Sequence, residues 1–317
     1  MRYSLLNRFR GALLGSLIGE YLGNRGCQGS VLGDFSFIPP NLGDAKPNQM
    51  LSDWSQIATY GIEYLINCGR LDVEDWVLYS SKMQPSLGLL KKAASSSEAA
   101  VAAIPIALFF HDDEIKLRQQ LLACGAVWQQ ASEVCEDVLA IGYAIALALT
   151  QKLNCTTLIP QILAYLETSQ TPLGQQLQQV QTLLEQGAGL DTTVSQLRRF
   201  GQRPGELSTH PSSPIALALY CFLSTPEDFR LCVSRAARSS YQPQITTAIA
   251  GALAGVYNSH IGIPVSWRLA ANRISIGSER LQLAERLLAV WSGVYDISVT
   301  EPCQWVAVAA PRVIQPR

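Results

Sequence analysis

Two glutamines flanking a proline, in "YQPQITTAIAGALAG" (Tyr241–Gly255), stand where the chain turns from polar to almost wholly apolar. A helix N-terminus carries partial positive charge and is ordinarily opened by Ser, Thr, Asp or Asn. Gln242 and Gln244 offer polarity there without an acid's charge. Glu20 and Asp53 could form a metal-free acid–base pair of the kind glycosidases use. The competing structural reading has Glu20 hydrogen-bonded to neighbouring backbone and Asp53 capping the helix that begins "SQIATYG".

Other reactive residues carry weaker signals. His111, His210 and His260 lie far apart, without HxxxH or HxH spacing, and read as surface histidines. The eight cysteines contain no CxxC pair, and several sit in apolar runs such as "ALYCFL". They read as reduced, buried small hydrophobes rather than as a zinc or disulfide framework. "GALLGSLIG" has glycine spacing but no preceding strand, which rejects a dinucleotide fingerprint. Arg198, Arg199 and Arg203 read as cations opposing a helix dipole rather than as a phosphate site.

The elements that must position these residues are helical. Only 15% of the 317 residues are charged and 48% are hydrophobic, so many helix faces must be buried or covered by a partner. Net charge is −1 and the pI about 6.3, which gives no overall pull toward nucleic acid or anionic membrane. The longest apolar runs, "AAVAAIPIALFF" and "VLAIGYAIALAL", are too short for a membrane span, which needs about 20 residues. The opening "MRYSLLNRFRGALLG" shows no secretory cleavage pattern, so a cytoplasmic location is expected.

Apolar periodicity predicts helices over 5–22, 53–68, 97–110, 134–150, 156–167 and 171–186. Further helices are predicted over 192–200, 214–223, 225–238, 246–257, 264–273 and 278–291, with loops over 23–50 and 201–213. Gly251 and Gly255, four residues apart, suit close backbone packing. The expected architecture is all-α, one compact orthogonal helical bundle over residues 1–302. A C-terminal tail over 303–317, containing "WVAVAAPRVI", either packs back or docks on another chain.

Four collinear stretches resemble the ADP-ribosylglycohydrolase family. "RFRGALLGSLIGEYLG" is similar to the opening helix RxxGxLxGxxxGDxxG, and "LSDWSQIATYGIEYL" stands where the family has (S/T)DDTxM. "SSSEAAVAAIPIALFF" takes the place of GNGxAMRxxPxG. The fourth stretch, around "YQPQITTAIAGALAGVYNSHIGIPVSW", resembles GGDxDTxxAIAGALAGAxxGxxxIPxxW. The resemblance implies the family's all-α fold and a site in which aspartates and Ser/Thr oxygens hold two Mg²⁺ between the second and fourth motifs.

Position by position, Ser52 and Asp53 match the first two ligands, Trp54 replaces the second aspartate, and Ser55 could stand in for the threonine. Gln242 and Gln244 replace both aspartates of the fourth motif, and Glu20 replaces an aspartate of the first. Ser97, Glu98, Val101 and Ala102 replace the Asn-Gly and Met-Arg positions of the third. About three negative charges are gone, and hard dications need carboxylate charge to offset their dehydration.

The expectation is therefore a pseudoenzyme without the two-Mg site, holding no cofactor and not binding ADP-ribose in the family's manner. It would act as a binding, scaffold or regulatory protein for an unknown protein partner. Two alternatives stand beside it. One is a divergent hydrolase of a glycosidic bond that uses Asp53 and Glu20 with one metal or none. The other is a purely structural role, as in the jellyfish lens crystallins that resemble this family.

Overall fold

Helical periodicity along most of the chain becomes, among the described residues of the computed structural model, fifteen helices and no strand. Those residues are 3–26, 51–84, 96–128, 134–167, 171–199, 213–239, 242–273 and 275–294. The first seven helices are α1 (Leu5–Gly26), α2 (Asp53–Cys68), α3 (Val73–Met83), α4 (Ser96–Ala102), α5 (Ile104–Phe109), α6 (Glu114–Trp128) and α7 (Val134–Leu149). Then come α8 (Leu158–Leu166), α9 (Pro172–Glu185), α10 (Leu190–Arg199), α11 (Pro214–Ser224) and α12 (Phe229–Arg238). The last are α13 (Pro243–Gly262), α14 (Val265–Arg273) and α15 (Ser275–Trp291). None of the described helices is long and apolar enough to cross a membrane. The tail over 303–317 and the expected loop around His210 lie outside the described residues.

α1 and α13 form the axis of the bundle. They run antiparallel in backbone contact: Gly11 meets Gly255, Gly15 meets Gly251, Gly19 meets Thr247, and Gly23 meets Pro243 and Gln244. A methyl group built on Gly11 or Gly15 would strike the facing carbonyl oxygen, so the four-residue glycine spacing sets how closely the two axes approach. Gly23 lies in helix, not in the expected loop, because α1 continues to Gly26. Around this pair the buried aliphatic and aromatic side chains form one continuous core.

Buried polar groups knit the outer helices to the axis. Arg8 of α1 is buried and donates through Nη1 to the carbonyls of Ala148 and Leu149, at 2.5 and 3.2 Å, satisfying the C-terminal end of α7. Ser97 of α4 donates to Asp137 of α7 at 3.0 Å, with both side chains buried. His111 is buried rather than on the surface: Nδ1 sits 2.8 Å from the Leu108 carbonyl, and the ring packs against Trp291 and Phe9.

Three local departures have physical reasons. The expected helix over 97–110 is broken between α4 and α5, because Pro105 lacks an N–H and its ring excludes helical continuation from the preceding turn. α3 and α6 were not expected. α3 is short, with Trp76 at its buried centre and Asp72 capping through Glu74 N and Asp75 N. α6 carries Ile115 and Leu122 on its exposed side as well as Leu117 and Leu121 on its buried side, which blurs the period that would mark it. Of the cysteines, Cys124, Cys221 and Cys232 are buried as expected, whereas Cys155 is half-buried and Cys68 exposed.

Candidate functional site

Glu20 follows Gly19 on α1, at the point where that helix touches the first turn of α13. Glu20 is 1% exposed. Its carboxylate accepts hydrogen bonds from the Ser52 backbone N–H, the Ser55 hydroxyl and Gln244 Nε2, the last at 3.2 Å. One acid therefore ties α1 to the N-termini of both α2 and α13, where helix dipoles favour negative charge.

The surrounding residues complete the arrangement. Ser52 is the N-cap of α2, and its hydroxyl accepts from Ser55 N at 3.3 Å. Capping thus falls to Ser52 and not to Asp53, which sits exposed in the first turn. Arg280 of α15 is 5% exposed and donates through Nη2 to the Ser55 carbonyl at 3.1 Å. Glu20, Ser55 and Arg280 line a cavity of about 10 Å³ with Ser16, Val101 and Ile104, room for roughly one water. Burial pushes the Glu20 carboxyl above the usual carboxylate range. The Ser55 hydroxyl, the Ser52 amide and hydroxyl, and the Arg280 guanidinium oppose that shift. Burial lowers the pKa of Arg280, with Glu20 working against it.

The structure thus brings together Glu20, Ser52, Ser55 and Gln244. It sets Trp54 apart as a core residue, 4% exposed and absent from the cavity wall. Gln242 is also apart: it is exposed, its side chain caps nothing, and its backbone is left-handed at φ 37°. Val101 and Ala102 are buried in the core. Arg280 was missed by sequence reasoning, although a signal was present. It falls four residues after Ile276 and four before Ala284, on the apolar stripe of α15, where a charged residue needs a partner.

An all-α bundle built on an antiparallel glycine-paired axis, with a polar cluster at the junction of α1, α2 and α13, defines the class. The ADP-ribosylglycohydrolase family model matches residues 1–296, and the chain belongs to that family. A solved structure described as "ADP-ribosylglycohydrolase-related protein complex" superposes with a TM-score of 0.59 at 18% identity, covering 90% of this chain and 98% of its own. That likeness shows the same all-α fold. No curated protein matches the sequence significantly.

Proposed function

We propose that this family member has given up two-metal glycohydrolysis and acts as a binding or scaffold protein, its old site converted into a structural tie. The observation that carries the reading is the Glu20 carboxylate, already engaged by Ser52 N–H, Ser55 Oγ and Gln244 Nε2. A metal ion would have to displace donors that the carboxylate now satisfies. Two Mg²⁺ would also need several more oxygen ligands with negative charge. Among the described residues no group of three or more His, Cys, Asp or Glu is placed to hold a metal ion. Asp53 is exposed, the Trp54 position is filled by an indole in the core, and Gln242 and Gln244 carry no charge. The side chains present do not fit the pair of ions.

Size supports the same conclusion. The cavity between Glu20 and Arg280, about 10 Å³, is far below the roughly 300 Å³ at which small-molecule pockets begin. Titration calorimetry of the full chain with Mg²⁺, with Mn²⁺, and with each ion together with ADP-ribose tests the reading. The expected result is no saturable heat. Micromolar binding of metal with ADP-ribose overturns it.

The second reading, metal-free hydrolysis through Glu20 and Asp53, draws on the raised pKa of Glu20, a property of general acids. It requires cleavage of an ADP-ribosylated substrate that Asp53→Asn and Glu20→Gln each abolish.

A further inference from the structure

A second cavity lined by described residues lies elsewhere. It measures about 660 Å³ and is walled by α9, the 187–189 turn, α11 and α12, with Cys155 and Thr156 at one side. None of its lining residues also lines the cavity beside Glu20. The cavity is thus separate from the Glu20 cluster, and it falls within the size range of organic ligands.

Its chemistry is uneven. Leu184 and Leu223 give apolar walls, and Gln181 and Glu185 also line the cavity, with Gln181 Nε2 donating to Glu185 Oε1 at 2.6 Å. Arg235 supplies a half-buried guanidinium that makes no ion pair with a carboxylate among the described residues. Arg235 Nη2 donates to Tyr220 Oη at 2.9 Å, and that hydroxyl donates onward to the Ala188 carbonyl at 2.6 Å. The guanidinium also lies 5.5 Å from the Tyr220 ring centroid. Tyr220 is itself 1% exposed, so the cation is held by a rigid support. Arg235 Nε is buried with no hydrogen-bond partner. A guanidinium carries five N–H donors in a fixed fork, and neutral acceptors here use only one of them. A cation held in place beside apolar walls, with donors left over, matches a carboxylate or phosphate on an apolar body.

We propose that this cavity is a binding site for a small organic anion. Its carboxylate or phosphate docks on Arg235, and its apolar part lies on Leu184 and Leu223. The assignment stands on Arg235 and the cavity alone and is independent of the state of the Glu20 cluster.

Titration calorimetry of the full chain with benzoate, phenyl phosphate and neutral benzamide tests it, and the first two probes separate a carboxylate from a phosphate preference. At least one anion is expected to bind with a Kd of roughly 1 mM or tighter, and benzamide at least about tenfold more weakly. Arg235→Gln is expected to weaken the anion by about tenfold or more, which is the scale of a charge-assisted hydrogen bond. Ser224→Trp, which places an indole in the cavity from the end of α11, is expected to abolish binding, and it carries the test if Arg235→Gln does not fold. Absence of binding by both anions overturns the proposal. So does equal binding of benzamide, or undiminished binding to the folded variants.

Discussion

Gln244 Nε2 donates to Glu20 Oε1 at 3.2 Å, joining residues 224 positions apart. A donor at this position neutralises nothing but satisfies a buried acid. Gln244→Glu keeps the size and turns the donor into a second acid facing the first. It is expected to cost about 1–3 kcal/mol near neutral pH. The loss should be smaller at about pH 4, because burial already raises the Glu20 carboxyl pKa and a proton on either acid removes the repulsion. Urea unfolding at both pH values measures it, and an equal loss at each would refute the pairing.

Glu20 also sets a pH dependence. Burial raises its folded-state pKa, so the folded protein holds the proton more tightly than the unfolded chain does. The stability that this contributes is fully present below the unfolded value, about 4.3, and is lost as pH rises through the folded value. The stability of the native protein relative to Glu20→Gln should therefore fall as pH climbs from about 4 to about 7. Denaturation curves across that range give the slope, and a difference that rises with pH would contradict the burial argument.

Trp54→Asp restores one aspartate of the family pattern, but it does so inside the core, where the indole is 4% exposed. It is expected to destabilise the fold by about 3–5 kcal/mol, the range for deleting a buried Trp. Thermal melting checks this. A neutral result would mean that the position can still serve a ligand site.

The glycine axis is expected to be intolerant. A Cβ on Gly15 would meet the Gly251 carbonyl, whereas one on Gly189 would meet nothing within 4 Å. Gly15→Ala should cost at least about 2 kcal/mol by overpacking, and Gly189→Ala should stay within about 0.5 kcal/mol. Chemical denaturation of both variants compares them directly. Similar losses in the two would rule out a backbone contact at Gly15.

Gln242 holds a left-handed backbone at φ 37° just before Pro243. A non-glycine residue pays about 1–2 kcal/mol for that conformation. Gln242→Gly should raise stability by about 0.5–1 kcal/mol after the entropic cost of glycine is set against it. A rise in melting temperature is the readout, and a fall would show that the glutamine side chain contributes to the fold.

Much of the fold was legible residue by residue. Apolar spacing marked α1, α2, α7 and α13, and Gly251 and Gly255 announced a close helix contact. Trp54, Gln242 and Gln244 already showed that charge had left the positions where the family pattern places aspartate. Local signals sufficed because periodicity, glycine spacing and charge are properties of short segments. α6 escaped notice because its exposed apolar residues, Ile115 and Leu122, hide its period.

Tertiary structure alone decided what those residues face. The partners of Glu20 come from α2 and α13, and the guanidinium beside it from α15. Whether Asp53 or Ser52 would cap α2, whether Trp54 or a ligand would fill its space, and whether Arg235 would meet an acid were all matters of packing between distant segments. Hydrogen bonds and burial depend on which groups lie within a few ångströms, and a linear pattern of residue types does not carry that distance.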